Sequence, residues 1–276
     1  MSMNLADLWE AVADAMPDEV ALIHGEQRVT YGEFDTRSAR LASALRAHGV
    51  GPGTKVAMYL YNANEYLETT FATIKLRAIP VNVNYRYLED ELHYLLENAD
   101  AEALFFHGAL AARVEAVRHK LPRLRLLVQV TGTDADRVPL LPGAHAYEDF
   151  LAAHQPAARI PRAADDMVFL YTGGTTGLPK GVMWKHSALF QQFSAGYAAM
   201  GGDVPSTPAA VGAAAKQMRE MGVQGASLAA APLMHGMAWF TSMGRLMTGG
   251  TVVSLTQRSF DADELWREVE RHRVML

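Results

Sequence analysis

The chain has 276 residues, which is enough for one large domain or two small ones. Hydrophobic residues make up 50% and charged residues 20%, the net charge is −5, and no long basic run is present, so a globular protein is expected and a nucleic-acid-binding surface is not. There is no cysteine, which excludes disulfides, thiolate metal sites and a cysteine nucleophile.

The sequence carries no signal for export or membrane insertion. The N-terminus lacks a basic n-region, and Asp7, Glu10 and Asp14 interrupt its apolar residues, unlike a signal peptide. The longest apolar passage, residues 226–237, is shorter than the roughly 18 apolar residues that a transmembrane helix needs. We expect a cytoplasmic protein without a transmembrane segment, for which peripheral membrane contact stays open.

Short apolar segments alternate with amphipathic ones over the first half of the chain. Thr30 and Glu33 form the T-x-x-E pattern of a capping box, which predicts a helix that ends near Gly49. Apolar side chains at helical spacing predict two more helices, at residues 67–74 and 88–96. Uniformly apolar runs predict buried strands at residues 56–60, 79–83, 103–106 and 126–130.

The same alternation resumes beyond a polar, proline-containing connector at residues 155–166. Strands are predicted at residues 167–171, 227–231 and 251–255. Helices are predicted from about residue 187, over 209–221 as part of a surface excursion, from about 237, and over 261–272. Residues 273–276 resemble the first half of a further buried strand, so we expect the chain to be truncated within a sheet.

Short strands separated by helices of about 10 to 15 residues predict βαβ units. The fold class is therefore α/β, with mostly parallel sheets flanked by helices. We expect two α/β subdomains, residues 1–160 and 161–276, of which the second is incomplete and contains a glycine-rich loop.

That loop, YTGGTTGLPKGV at residues 171–182, is the most informative segment for function. It follows a predicted parallel strand, and open α/β sheets bind ligands at the carboxyl ends of such strands. Its glycines allow backbone N–H groups to approach an anion closely, while its threonines and its lysine add hydroxyl donors and a positive charge. The candidate phosphate-binding residues are Thr172, Gly173, Gly174, Thr175, Thr176, Gly177 and Lys180.

The spacing within the loop excludes the common nucleotide motifs. A Walker A loop needs G-x-x-x-x-G-K-[ST], but the fifth residue after Gly173 is Leu178, and Lys180 is followed by Gly181. The absence of G-x-G-x-x-G and G-x-S-x-G disfavours a Rossmann dinucleotide site and an α/β-hydrolase. A structural turn rich in small residues is the remaining alternative.

The loop resembles the phosphate-loop signature of the adenylate-forming superfamily, which comprises acyl- and aryl-CoA synthetases, adenylation domains of peptide synthetases, and luciferases. Further segments occur in the family's order: TYGEF at residues 30–34, IKLRAIPVNVN at 74–84, and APLMHG at 231–236. Arg77 stands where the family usually has glycine. The resemblance covers nearly the whole chain and implies the large N-terminal domain of the adenylate-forming fold.

Within the family, GGTTGLPKGVMWKH, PLMHGMAWF and the run NVNYRY at residues 82–87 are most similar to actinobacterial fatty-acid and steroid-side-chain acyl-CoA synthetases. This resemblance implies that a carboxylic acid attacks Mg-ATP to give an acyl-adenylate and pyrophosphate. Coenzyme A then displaces AMP to give a thioester. ATP, Mg²⁺ and coenzyme A are therefore the implied co-substrates.

The resemblance also implies roles for individual residues. The loop would hold the β- and γ-phosphates, with Thr172 close to Mg²⁺. His235, Gly236, Met237 and Trp239 would border the acyl and adenylate pocket. A capping role for His235 and a core role for Trp239 stay open.

Three later elements of the family are not in this sequence: a glutamate that helps to hold Mg²⁺, an aspartate that binds ribose, and the adenylation lysine. No catalytic residue is therefore assigned, and we expect the 276 residues alone to be inactive. A non-catalytic nucleotide-binding module stays open, as does a homodimer. A peptide-synthetase adenylation domain is disfavoured, because no carboxylate follows His235 before Asp261 to hold an amino acid's ammonium group.

Overall fold

The computed structural model describes residues 3–131, 138–173, 177–199 and 203–275. The helices are α1 Leu5–Ala15, α2 Tyr31–Ala47, α3 Asn64–Lys75, α4 Glu89–Asn98, α5 Ala111–Arg118, α6 Tyr147–Ala152, α7 His186–Ala199, α8 Pro208–Glu220, α9 Gly236–Met247 and α10 Ala262–His272. The strands are β1 Val20–His24, β2 Gln27–Thr30, β3 Lys55–Tyr59, β4 Ile79–Asn82, β5 Ala101–His107, β6 Leu126–Val130, β7 His145–Ala146, β8 Met167–Thr172, β9 Lys180–Lys185, β10 Ala226–Ala229 and β11 Thr251–Ser254.

Within the described residues, the strands form two mostly parallel sheets. The larger has seven strands in the order β7-β6-β5-β3-β4-β8-β9, and its one antiparallel pair is β8–β9 at the edge. The smaller has four strands in the order β10-β11-β1-β2, in which β2 runs antiparallel to β1. The predicted α/β class with helix-flanked, mostly parallel sheets is confirmed.

Burial on both faces explains the uniformly apolar strands of the larger sheet. Alternate residues of its central strands belong to different core clusters: Met58 and Phe105 to one, Ala57 and Leu104 to the other. The cluster with Met58 also contains Val252 of the smaller sheet, so it extends to both sheets. Helices α4 and α5 cover the opposite face, through the cluster with Ala57.

Local signals set several helix ends. At the start of α2, the Thr30 hydroxyl accepts from the Glu33 N–H at 3.2 Å, and the Glu33 carboxylate accepts from the Thr30 N–H at 2.8 Å. This is the predicted capping box. The helix ends at Ala47, close to the predicted glycine, and Gly49 has φ +78°, which glycine adopts without strain.

A buried ionic network fixes the connector before β8. The Lys75 ammonium lies 2.7 Å from carboxylate oxygens of both Glu10 and Asp35, and the Arg162 guanidinium lies 2.8 Å from Glu10. The side chains of Lys75, Glu10 and Arg162 are each at most 5% exposed. The network therefore joins α1, α2 and α3 to the connector.

Several elements were not predicted from the sequence, namely α1, β1, β2, α5, α6, β7 and β9. The strand β9 was not predicted, because its residues are mostly exposed and carry no buried-strand pattern. Helix α8 lies at the surface, but one of its faces packs on the fold: Val211 and Ala215 are fully buried, and a Cβ on Gly212 would lie only 2.3 Å from the Ala11 carbonyl oxygen. The small residues of α8 thus allow it to pack closely on α1.

Strands from both sides of residue 160 enter each sheet. Each sheet therefore contains strands from both of the expected subdomains, residues 1–160 and 161–276. The division of the chain into these two subdomains stays a prediction. Among the described residues, no helix has the length and apolar character needed to cross a membrane.

Candidate functional site

The glycine-rich loop is the connection of the β8–β9 hairpin. The antiparallel register pairs Thr172, at the end of β8, with Lys180, at the start of β9. Residues directly opposite each other in an antiparallel pair project from the same face of the sheet. The hairpin therefore brings the side chains of Thr172 and Lys180 to one face, where both are exposed.

The described glycines of this hairpin have different surroundings. Gly177 has φ +103°, a conformation that requires glycine. A Cβ on Gly173 would meet no atom within 4 Å, so packing does not demand glycine there and the backbone is open to a ligand. A Cβ on Gly181 would lie 2.8 Å from the Tyr171 ring. The predicted phosphate-binding residues 174–176 lie outside the described residues.

The turn before α9 presents the predicted histidine. His235 is the N-cap residue of α9, its backbone N–H donates to the Pro232 carbonyl at 2.9 Å, and its side chain makes no capping bond. The pKa of His235 lies below its usual value, first because of burial and second because of the positive charge of Arg86. At neutral pH its imidazole is therefore uncharged and offers one donor and one acceptor nitrogen.

A small cavity of about 110 Å³ joins these two segments. It contains four of the predicted site residues, namely Thr172, Gly173, His235 and Gly236. The other lining residues are Asn82, Asn84, Tyr87, Leu95, Tyr171 and Met234. The structure thus brings the start of the proposed phosphate loop and the histidine turn into one site, although His235 lies 63 positions after Thr172 in the sequence.

Asn82 is a residue of this site whose role the sequence did not reveal. It ends β4, is only 4% exposed, and donates from Nδ2 to the carbonyls of Tyr171 at 3.0 Å and Met234 at 2.6 Å. Its Oδ1 accepts from the Tyr171 N–H at 2.5 Å. One feature of the sequence could have indicated this role: Asn82 is a carboxamide at the carboxyl end of an otherwise apolar strand, and a buried polar group needs hydrogen-bond partners.

Two predicted pocket residues are not brought into the cavity. Trp239 is 1% exposed and belongs to the larger core cluster, with its ring centroid 5.4 Å from that of Phe240. Met237 is 75% exposed in the first turn of α9. Their assignment to the acyl pocket stays a prediction.

A second cleft is lined by residues that end or follow strands of both sheets. Tyr61 follows β3, Tyr85 and Arg86 follow β4, His107 ends β5, and Arg258 lies in the segment after β11. The Arg258 guanidinium lies 4.3 Å from the centre of the Tyr61 ring, which is a cation–π contact. The carboxyl ends of the two sheets thus face a cleft with cationic and aromatic groups.

Two curated proteins are similar to the chain over nearly all of its length. It is 38% identical to the medium-chain acyl-CoA ligase Mig of Mycobacterium avium, over 97% of the chain and 50% of that protein. It is 37% identical to the 3-oxocholest-4-en-26-oate–CoA ligase of Rhodococcus rhodochrous, over 99% of the chain and 48% of that protein. The chain spans about half the length of the curated relatives it matches.

The fold is also similar to solved structures. The Mycobacterium tuberculosis fatty acyl CoA synthetase superposes with a TM-score of 0.76 at 21% identity, covering 99% of this chain and 48% of the other. The family model described as AMP-binding enzyme matches residues 9–276. The chain therefore belongs to the AMP-binding enzyme family.

Proposed function

We propose that the chain is the N-terminal part of an AMP-forming acyl-CoA ligase, which joins a carboxylic acid to coenzyme A at the expense of ATP. The observation that supports this most directly is the cavity that Thr172 and Gly173 share with His235 and Gly236. The resemblance of the loop to the adenylate-forming signature, and the printed names of the relatives, agree with it. A cytoplasmic location and a homodimer belong to the same proposal.

The acid we propose is a fatty acid or a steroid-side-chain acid. The relatives named above act, by their names, on medium-chain acyl groups and on 3-oxocholest-4-en-26-oate. An amino acid is disfavoured because α9, Gly236–Met247, contains no carboxylate to hold an ammonium group. This leaves a peptide-synthetase adenylation domain as the weaker alternative.

The phosphate loop offers the donor set that a pyrophosphate leaving group requires. Thr172 supplies a hydroxyl, Lys180 supplies an ammonium group on the same face, and Gly173 leaves its backbone open to close approach. Gly174, Thr175, Thr176 and Gly177 belong to the same proposed loop, and their residue types offer further N–H and hydroxyl donors. The residues present therefore fit the β- and γ-phosphates of ATP.

Magnesium would enter this site with the nucleotide. The described residues contain no group of three or more His, Asp or Glu side chains that could hold a metal ion. Mg²⁺ commonly takes only one or two protein ligands beside substrate phosphates. The Thr172 hydroxyl, at the start of the loop, is the proposed protein group nearest to it.

The chain's own residues would promote the first step by position and charge. Lys180 would neutralise charge on the departing pyrophosphate, and Thr172 would orient it. His235 and Gly236, with Met237 and Trp239 beyond them on α9, would border the acid and the adenylate. Holding the acid against the α-phosphate makes the attack effectively unimolecular, which is a large part of such catalysis.

ATP–pyrophosphate exchange by the full-length protein tests this proposal. Medium-chain fatty acids or steroid-side-chain acids should support exchange, and coenzyme A should then yield a thioester. The 276-residue chain alone should yield no thioester by mass spectrometry. Exchange that depends on amino acids instead would favour the peptide-synthetase alternative. Nucleotide binding without any exchange would favour a non-catalytic nucleotide-binding module.

A further inference from the structure

Asn82 uses its whole carboxamide to join two segments of the site. One Nδ2 hydrogen bond goes to the Tyr171 carbonyl and the other to the Met234 carbonyl, while Oδ1 accepts from the Tyr171 N–H. A carboxamide has two N–H donors, so both are used inside a region where the residue is 4% exposed. Losing these bonds would leave buried backbone groups without partners, which is unfavourable.

The position of these bonds relates them to the proposed site. Strands β4 and β8 pair in parallel at Val81 and Phe169, and the Asn82 side chain continues that pairing to Tyr171. Tyr171 immediately precedes Thr172, and Met234 immediately precedes His235. Asn82 thus holds the chain one residue before each of the two segments that meet in the cavity.

We propose that Asn82 is a positioning residue for the ATP-dependent step, because it fixes the separation between the phosphate loop and the His235 turn. This inference rests on the proposed function. Asn82 acts through the backbone of Tyr171 and Met234 and not on the substrate. A carboxylate of the same shape cannot replace it, since an ionised Asp has no donor for the two carbonyls.

Asn62 provides a matched control for an Asn82→Asp variant. Its Nδ2 donates to the carbonyls of Ala229 and Ala231 at 3.2 and 3.1 Å, and its Oδ1 accepts from the Leu233 N–H at 2.7 Å. It therefore also donates twice to carbonyls and accepts once from a backbone N–H, but its bonds all fall within residues 229–233 and none reaches β8. Asn62→Asp introduces the same chemical change at a similar structural position.

Backbone hydrogen exchange tests the structural part of the inference without any activity. In Asn82→Asp a carboxylate oxygen replaces Nδ2 and is repelled by the carbonyls of Tyr171 and Met234. The side chain should therefore shift, its bond to the Tyr171 N–H should weaken, and that amide should exchange faster than in the unaltered chain. In Asn62→Asp the same repulsion by the Ala229 and Ala231 carbonyls should make the amide of Leu233 exchange faster, while that of Tyr171 keeps its protection. Unchanged protection of Tyr171 in Asn82→Asp, or equal loss in both variants, would overturn the inference.

Pyrophosphate exchange by the full-length protein tests the functional part. Because small displacements of reacting groups can cost up to about 100-fold in rate, we expect kcat of Asn82→Asp to fall by about 10- to 100-fold at saturating ATP and acid. If the two variants have similar denaturation midpoints, the kcat of Asn62→Asp should fall much less. Equal kcat losses in the two variants would contradict the inference. If the unaltered protein showed no pyrophosphate exchange, the proposed function would be contradicted. The positioning role of Asn82 would then be decided by hydrogen exchange alone.

Discussion

Arg77 combines an unfavourable backbone conformation with a compensating ion pair. Its φ is +60°, in the left-handed region that disfavours side chains with a Cβ, and it stands where the adenylate-forming family usually has glycine. Its guanidinium contacts the Asp166 carboxylate through Nε at 3.0 Å and Nη2 at 2.9 Å. An arginine at this position therefore makes two hydrogen bonds to Asp166 that a glycine could not make.

Two substitutions separate these effects. Arg77→Ala removes the ion pair and keeps a Cβ in the left-handed conformation, whereas Arg77→Gly removes the ion pair and relieves the strain. We expect the free energy of unfolding of Arg77→Gly to exceed that of Arg77→Ala by about 1 kcal/mol. Urea denaturation of both variants measures the difference. An Arg77→Ala chain as stable as Arg77→Gly would show that the backbone there is not strained.

Residue identity alone suggested part of the proposed site. The threonines, glycines and lysine of the loop were recognised from their chemistry, and Thr172 and Lys180 do lie opposite each other. Asn82 was not recognised, because its role depends on two carbonyls that lie 89 and 152 residues away in the sequence. No local pattern carries that information.

At the scale of elements, strand β9 shows where periodicity fails. Most residues of β9 are exposed, so neither alternation nor a continuous apolar core pattern marks the strand. The central strands, such as β6 with all of its residues buried, were predicted from their apolar runs. The hairpin bears on the proposed function because it, and not a direct strand-to-helix turn, places Lys180 opposite Thr172.

The ionic network between α1, α3 and the connector yields a prediction about stability. Burial raises the pKa of the Glu10 carboxyl, but hydrogen bonding to Arg162 and the charge of Lys75 outweigh it and hold the pKa below its usual value of 4.5. Glu10→Gln would leave buried cations short of a partner. We expect it to lower the free energy of unfolding by about 3 kcal/mol near neutral pH.

The pH dependence of that difference has a defined sign. Because the folded-state pKa of Glu10 lies below its unfolded value, its ionised form stabilises the fold above about pH 4.5, and this contribution disappears as the pH falls through the folded-state pKa. Denaturation of Glu10→Gln and the unaltered chain should therefore converge in acid. Glu26→Gln, which alters an exposed pair with Arg271, serves as the control and should have little effect. A difference independent of pH would contradict the account.

At the scale of the whole molecule, the sequence predicted the fold class but not the assembly of the sheets. Strands β1 and β11 pair in parallel, with Leu22 opposite Val252, so one sheet combines the two ends of the chain. Such pairing depends on contacts between distant segments, which periodicity cannot reveal. The cleft that contains Tyr61 and Arg258 is lined by residues from the carboxyl ends of both sheets.

The proposed role of the β8–β9 hairpin is to hold the phosphates of ATP, and a substitution of Lys180 tests this role most directly. Loss of a charge-assisted hydrogen bond is worth about 1.5 to 3 kcal/mol, so Lys180→Ala should lower pyrophosphate exchange by the full-length protein by about 10- to 100-fold. Lys185, exposed at the other end of β9 and paired with Met167, is the matched control, and Lys185→Ala should exchange close to the unaltered rate. Unchanged exchange in Lys180→Ala would contradict the assignment of this hairpin as the phosphate loop.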